Sequence, residues 1–142
     1  MTLTHDHPEA VRGARAVAVA IRLALDGSTP KQIREAVATS FGYDLRESVA
    51  DIRSWHAFDV SCAGTVPPAV TCAVEATGFE DAIRNAVSLG GDSDTLACIT
   101  GAVAEALYGI PEWIADEAKA RLDNDLLNVV ERFTKRYSAI RL

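Results

Sequence analysis

The sequence lacks any apolar run long enough to span a bilayer. Its best candidate, Ala14 to Leu25, is interrupted by Arg15 and Arg22 and falls short of the roughly 20 residues that a membrane helix requires. No secretory leader pattern precedes the first expected helix. Cysteine is scarce: Cys62, Cys72 and Cys98 form an odd set, with neither a Cys-x-x-Cys pair nor metal-ligand spacing. That argues against a disulfide scaffold and for a reducing, cytoplasmic setting. Basic residues are outnumbered, 14 against 20 acidic ones, for a formal charge of −6. The arginines are dispersed rather than gathered into a stripe, so neither a nucleic-acid backbone nor a membrane is an expected partner. Strand-like alternation, internal repeats and low-complexity linkers are also missing.

What is present reads as helix. The 142 residues, 49% of them hydrophobic, suit one domain with a real core. The expectation is a single all-α domain over 1–142, an orthogonal multi-helical bundle of about six or seven helices. Pro8 opens the first helix, which runs to Leu25 with Val11, Ala14, Val17, Ala18, Ile21 and Leu25 on one face. Ser28 or Thr29 caps the second ahead of Pro30, and Gly42 ends it. Ser48 caps a short third. Thr65 is the expected cap of a helix that Pro67 opens and that ends near Thr77. Helices over 79–87 and 96–107 follow. The chain restarts at Pro111, with Trp113 and Ile114 docked on the core. A last amphipathic helix from Asp125 to Tyr137 is expected to pack Leu126, Leu127, Val130 and Phe133.

Between the helices at 79–87 and 96–107 lies the most polar stretch of the chain, Ser88-Leu-Gly-Gly-Asp-Ser-Asp-Thr-Leu-Ala97. Gly90 and Gly91 permit a sharp turn or a close backbone approach. Asp94 suits the N-cap of the next helix, because its carboxylate can accept from the orphan N–H groups of the first turn. Capping does not explain Asp92 beside it, since two close carboxylates repel unless a proton or cation lies between them. With Thr95 they offer oxygen donors of the kind that Mg2+ or Mn2+ takes. The other reading is a capped helix after a glycine turn, with Asp92 solvated. An EF-hand is excluded, because its sixth position would be Ala97 and no glutamate follows at the twelfth.

Elsewhere the signals are weaker. His5, Asp6 and His7 hold three zinc-type donors, but the spacing is tight and no further strong N or S donor is near in sequence. His56 has no nucleophile paired with it. Cys62 has neither a positive partner nor a positioned base and reads as a buried thiol. Gly64 permits a bend, and free N–H groups over 64–66 could cradle an anion or a hydroxyl. Glu105 reads as a paired or surface residue. Small residues at 97, 101 and 104 allow another helix close approach.

The stretch Gly90-Gly-Asp-Ser-Asp-Thr-Leu-Ala97, continuing through Gly101 and Ala104-Glu-Ala-Leu-Tyr-Gly109, resembles the C-terminal signature of the ADP-ribosylglycohydrolase family. Three further segments resemble that family in the same order: His5-Asp-His-Pro-Glu-Ala10, Ser61-Cys-Ala-Gly-Thr-Val-Pro-Pro-Ala69 and Phe79-Glu-Asp-Ala-Ile-Arg-Asn-Ala-Val87. The likeness covers about residues 4 to 112. It implies hydrolysis of a glycosidic bond at C1″ of ADP-ribose, released from a modified side chain or small group. It implies Mg2+ or Mn2+ as cofactor, binuclear in a complete assembly. Asp92, Asp94 and Thr95 would be metal ligands, Asp94 the bridging one, and His7, Gly64, Thr65 and Gly91 would be substrate contacts; no catalytic residue is assigned. Ser93 stands where many members have threonine. Trp55 and Phe58 read either as packing or as an adenine shelf.

Family members are about twice as long, and their N-terminal half carries a Thr-Asp-Asp metal motif that does not occur here. The expectation is therefore a chain that is incomplete or inactive alone. Its partner would be a complementary N-terminal half, or a second copy covering apolar surface on the first helix and on the helix after the aspartates. Two alternatives stay open: a remnant that binds ADP-ribose or metal without turnover, and a non-enzymatic helical interaction domain.

Overall fold

The computed structural model describes residues 6–137, and the expected His5 donor lies outside the described residues. Eight helices and no strand occur among them. The all-α class holds, with eight helices where six or seven were expected. Residues up to Gly109 form one compact unit and residues from Ile110 a second.

The first unit holds α1 (Pro8–Leu25), α2 (Pro30–Phe41), α3 (Val49–Trp55), α4 (Cys62–Glu75), α5 (Phe79–Leu89) and α6 (Ser93–Tyr108). Local chemistry sets most of their starts. His7 caps α1, its Nδ1 accepting from the Glu9 N–H at 3.2 Å. Thr29 with Gln32, and Ser48 with Asp51, form reciprocal capping boxes on α2 and α3, each cap being worth about 1 kcal/mol. Gly42, at φ 67°, ends α2 in the left-handed conformation that glycine adopts without strain.

α4 departs from expectation. Ser61, not Thr65, is its cap, accepting from the Gly64 N–H at 3.0 Å. The helix therefore starts at Cys62 and contains Pro67 and Pro68 rather than being opened by one of them. Proline lacks the N–H that would bond four residues back, which deprives the Ala63 and Gly64 carbonyls of their helical donors. Both of these residues line an open cleft, where water can take the donors' place.

α6 packs on α1, α4 and α5. One core cluster joins Ala16, Ala20, Ile33, Val37, Val70 and Val103. A second lies under the start of α6 and joins Ile52, Ala69, Cys72, Ala86, Leu89 and Leu96. Approach is close where side chains are small. The buried Thr100 hydroxyl donates to the Ala69 carbonyl at 3.0 Å, and a Cβ on Gly101 would lie 3.3 Å from Ile83 Cδ1. The same preference rotates α1. Its buried stripe is Gly13, Ala16, Ala20 and Ala24, whereas Ala14, Ala18 and Leu25 of the expected face are exposed. A Cβ on Gly13 would stand 3.1 Å from Cys62 Cβ, so the smallest side chains mark the side where α4 comes closest. Cys62 is half-buried and Cys72 buried. Burial, followed by the nearby Glu75 carboxylate, pushes the Cys72 thiol up to about 12. In α5 the core takes Ala82, Ala86 and Leu89, and Val87 is exposed.

The second unit holds α7 (Glu112–Lys119) and α8 (Asn124–Tyr137), and neither helix has a buried residue. The expected docking of Trp113 and packing of Leu126, Val130 and Phe133 are corrected: all four are exposed, and Ile114 and Leu127 are half-buried. Periodicity identifies an apolar face but not what covers it. Among the described residues no helix is long and apolar enough to cross a membrane.

Candidate functional site

Three residues, Gly90 to Asp92, connect α5 to α6. Gly90 adopts φ 76° and ψ −156°, a region essentially confined to glycine, and Gly91 has φ 64°. A Cβ on Gly91 would lie 3.2 Å from the Ala57 carbonyl oxygen and from Phe58 Cα. The glycine thus admits the α3–α4 connection against the aspartate loop.

Asp92 occupies the N-cap position of α6 but makes no side-chain capping bond. Asp94 is the second residue of the helix, which corrects its expected place as the cap. Its carboxyl is held below the ordinary carboxylate range, first by a hydrogen bond with the Asp92 carboxyl, then by the N–H groups of Asp94 and Thr95. The two carboxyl groups stand two residues apart where α6 begins, Asp92 half-buried and Asp94 exposed, with Thr95 exposed beside them. Such a pair shares a proton or takes a cation, and its all-oxygen donors suit a hard divalent ion. By chemistry the pair fits Mg2+ or Mn2+. It is only part of a ligand shell: among the described residues no three His, Cys, Asp or Glu side chains gather where an ion could be held.

On the other side of the contact stands the first turn of α4. Gly64 makes no bend there; its missing side chain leaves room instead, since a Cβ would fall 2.0 Å from Asp59 Oδ2. The buried Thr65 hydroxyl donates to the Ser61 carbonyl at 2.6 Å. The N–H groups of Gly64 and Thr65 go to the Ser61 hydroxyl and carbonyl, both at 3.0 Å. The anion cradle expected from those amides is therefore closed by Ser61. Asp59, which sequence reasoning passed over, organises the approach to this turn. Its Oδ1 accepts from the Ser61 N–H at 2.7 Å. That bond, then the Ser61 hydroxyl, then the His56 charge hold its carboxyl below the usual range. The signal available was the Asp-x-Ser spacing of an Asx turn just ahead of a helix.

Trp55 and Phe58 are 55% and 72% exposed, which overturns their packing into the core. The Trp55 indole N–H donates to Glu47 at 3.1 Å. Trp55 and Gly64 both border a cleft of about 340 Å³ whose lining includes Tyr43, Pro68, Thr71 and Arg12. Thr71 Oγ1 and Arg12 Nε are buried there without a protein partner. The Arg12 guanidinium lies 4.6 Å from the centre of the Tyr43 ring and pairs with Glu9 at 2.6 Å. The structure thus sets Gly91 against the Ala57–Phe58 backbone and Gly64 against the Asp59 side chain of the same connection. His7 stands exposed at the start of α1 and takes no part in those contacts. His56 lies edge-on to Trp55, ring centres 6.0 Å apart, and Glu105 is exposed.

Comparison with known proteins gives one family and a few relatives. The family described as ADP-ribosylglycohydrolase matches residues 1–141. An ADP-ribosylarginine hydrolase, Tri1, from Pseudomonas putida is 28% identical over 122 residues, covering 80% of this chain and 33% of its own length. An uncharacterised protein of Archaeoglobus fulgidus is 31% identical over 128 residues, covering 79% of this chain and 42% of its own. The ADP-ribosylhydrolase ARH3 of Danio rerio is 54% identical over 33 residues, 23% of this chain and 9% of that protein. The chain thus spans well under half the length of these relatives. No solved structure matches it.

Proposed function

The chain belongs to the ADP-ribosylglycohydrolase family, and from that premise we propose that it carries part of the metal and substrate machinery for cleaving ADP-ribose from a modified side chain or small group. Asp92 at the N-cap of α6 and Asp94 two residues on, behind the Gly90–Gly91 turn, carry this reading. Asp92, Asp94 and the Thr95 hydroxyl would hold Mg2+ or Mn2+, Asp94 as the principal ligand, with further acidic ligands supplied from outside these residues. When bound, such an ion orients the distal ribose and polarises its oxygens. Gly91, lacking a side chain, lets the sugar come close to the loop. The cleft beside Trp55 takes the nucleotide side, with the partnerless Thr71 hydroxyl as a hydrogen-bonding group. His7 is a further substrate contact, and Gly64 and Thr65 shape the turn beneath the sugar. The three free cysteines suit a reducing, cytoplasmic setting.

Titration with Mn2+ by calorimetry tests the ligand assignment. Binding heat is expected for the wild-type chain and its loss for Asp94→Ala, with unchanged circular dichroism. Equal heats in both proteins would defeat the assignment. They would favour a second reading, a helical interaction domain, which the lack of a three-ligand cluster among the described residues supports.

Residues 1–142 alone are expected to hydrolyse ADP-ribosyl-arginine and ADP-ribosyl-serine slowly or not at all. Two carboxylates on one helix start leave most transition-state charge without a preorganised partner. Multiple turnovers with Mg2+ that disappear in Asp94→Ala would overturn that incompleteness and leave the family assignment standing.

A further inference from the structure

We propose that Arg34 and Glu75 are positioning residues for the Trp55 ring, an inference that rests on the reading of the cleft beside that ring as the nucleotide side. Neither residue borders the cleft. Between α2 and α3 the chain from Gly42 to Ser48 forms neither helix nor strand, so side chains must satisfy its buried backbone groups. The Arg34 guanidinium, on α2, donates to the Leu45 carbonyl at 2.9 Å and to Glu75 Oε1 at 2.8 Å. Glu75 Oε2, at the end of α4, accepts from the Val49 N–H at 2.8 Å, one of the orphan donors at the start of α3. One ion pair thus grips the chain at 45 and at 49. It is a sheltered pair, its side chains 25% and 28% exposed.

Between those two points stands Glu47, whose Oε1 accepts from the Trp55 indole N–H at 3.1 Å. Glu47 and Trp55 both line the cleft. Trp55 is more than half exposed, so core packing does not fix its ring. The bond to Glu47 and the edge-on contact with His56 orient it instead. Without the guanidinium, the buried Leu45 loses the donor to its carbonyl and the Glu75 carboxylate loses its cation. Residues 45–48 are then free to shift, and Glu47 carries the indole with it. α3 keeps its capping box and its buried Val49 and Ile52, so the shift stays within the connection and does not unfold the helix.

Titration of the full chain with AMP, followed by calorimetry and by the indole N–H signals in proton–nitrogen correlation spectra, tests the positioning. The Trp55 signal is the one that Trp55→Phe removes. Arg34→Met should move that signal and weaken AMP binding about fivefold, with circular dichroism unchanged. Arg34→Lys should recover only part of the loss, because an ammonium cannot serve both acceptors as the planar fork does. In a Trp55→Phe background Arg34→Met should weaken binding no further, whereas a general effect on the fold would add to it. A Trp55 signal that stays in place in Arg34→Met overturns the proposal, and so does full additivity of the two losses. A wild-type chain that binds no AMP defeats the nucleotide reading of the cleft instead, and the indole signal then decides the positioning by itself. Should Arg34→Met misfold, Glu75→Gln is held to the same outcomes, since its amide keeps the shape but turns a donor toward Arg34 or toward the Val49 N–H.

Discussion

Leu96→Ala is expected to lower the unfolding free energy by about 3–5 kcal/mol, the upper part of the range for buried leucines. Leu96 is 1% exposed and sits two residues beyond Asp94 in the first turn of α6. Its N–H bonds the Asp92 carbonyl at 3.0 Å, so the residue is fixed in place by the aspartate loop itself. Around it lie Val49, Ile52, Ala69, Cys72, Ala86 and Leu89. Alanines cannot swing into a void, and branched side chains rotate into one at a cost. The cavity should therefore persist instead of collapsing, and its cost adds to the lost transfer energy. Leu126→Ala on α8 removes the same atoms from a position already 54% exposed and should change the stability of the monomer by less than about 0.5 kcal/mol. Urea melts of the two variants decide the matter. A loss under 1 kcal/mol for Leu96→Ala would show that the second cluster is loose, and the aspartate pair would then rest on a mobile floor.

Helix starts set within a few residues were legible without coordinates. Pro8, the Thr29–Gln32 and Ser48–Asp51 pairs and Gly42 act within three residues of the boundary they set, where chain neighbours decide the outcome. The α4 start was misplaced because a proline at the first helical position is a strong prior. Ser61 outcompeted it by accepting from the Gly64 N–H, and the prolines were absorbed beside an open cleft. In α1 an alanine-rich sequence offers more than one apolar arc. Which arc is buried depends on how closely α4 comes, information that does not lie in the helix. Trp55 and Phe58 show the same limit in reverse, since aromatic character alone gave no sign that both would face solvent. At the candidate site, Asp92, Asp94 and the paired glycines stood out by local density of polar and flexible residues. Asp59 did not, because its place over Gly64 is a contact between a connection and a helix that no spacing rule encodes.

Gly64→Ala is expected to destabilise the chain by about 2–3 kcal/mol by overpacking, although alanine is the better helix former by about 1 kcal/mol. Gly64 has no positive φ to protect; the obstacle is Asp59, whose Oδ2, Cγ and Cβ would lie 2.0, 2.3 and 2.8 Å from the new Cβ. Because Asp59 Cβ itself intrudes, the whole side chain and its backbone must retreat, not merely the carboxylate tip. That retreat breaks the bond from the Ser61 N–H and unsettles the residue that caps α4. It also moves the connection whose Ala57 and Phe58 backbone touches Gly91. The cost should accordingly depend on Asp59. In an Asp59→Gly background all three intruding atoms are gone, and Gly64→Ala should become neutral within about 0.5 kcal/mol, or stabilising by helix propensity. Denaturant melts of the four proteins of this cycle measure the coupling, and Mn2+ titration of the same four reads its reach. Gly64→Ala should weaken Mn2+ binding although it touches no proposed ligand, and Asp59→Gly should recover part of it. If Gly64→Ala costs the same with and without the Asp59 side chain, the contact is not what requires glycine there. The path from α4 through Asp59 to the aspartate loop would then carry no energy.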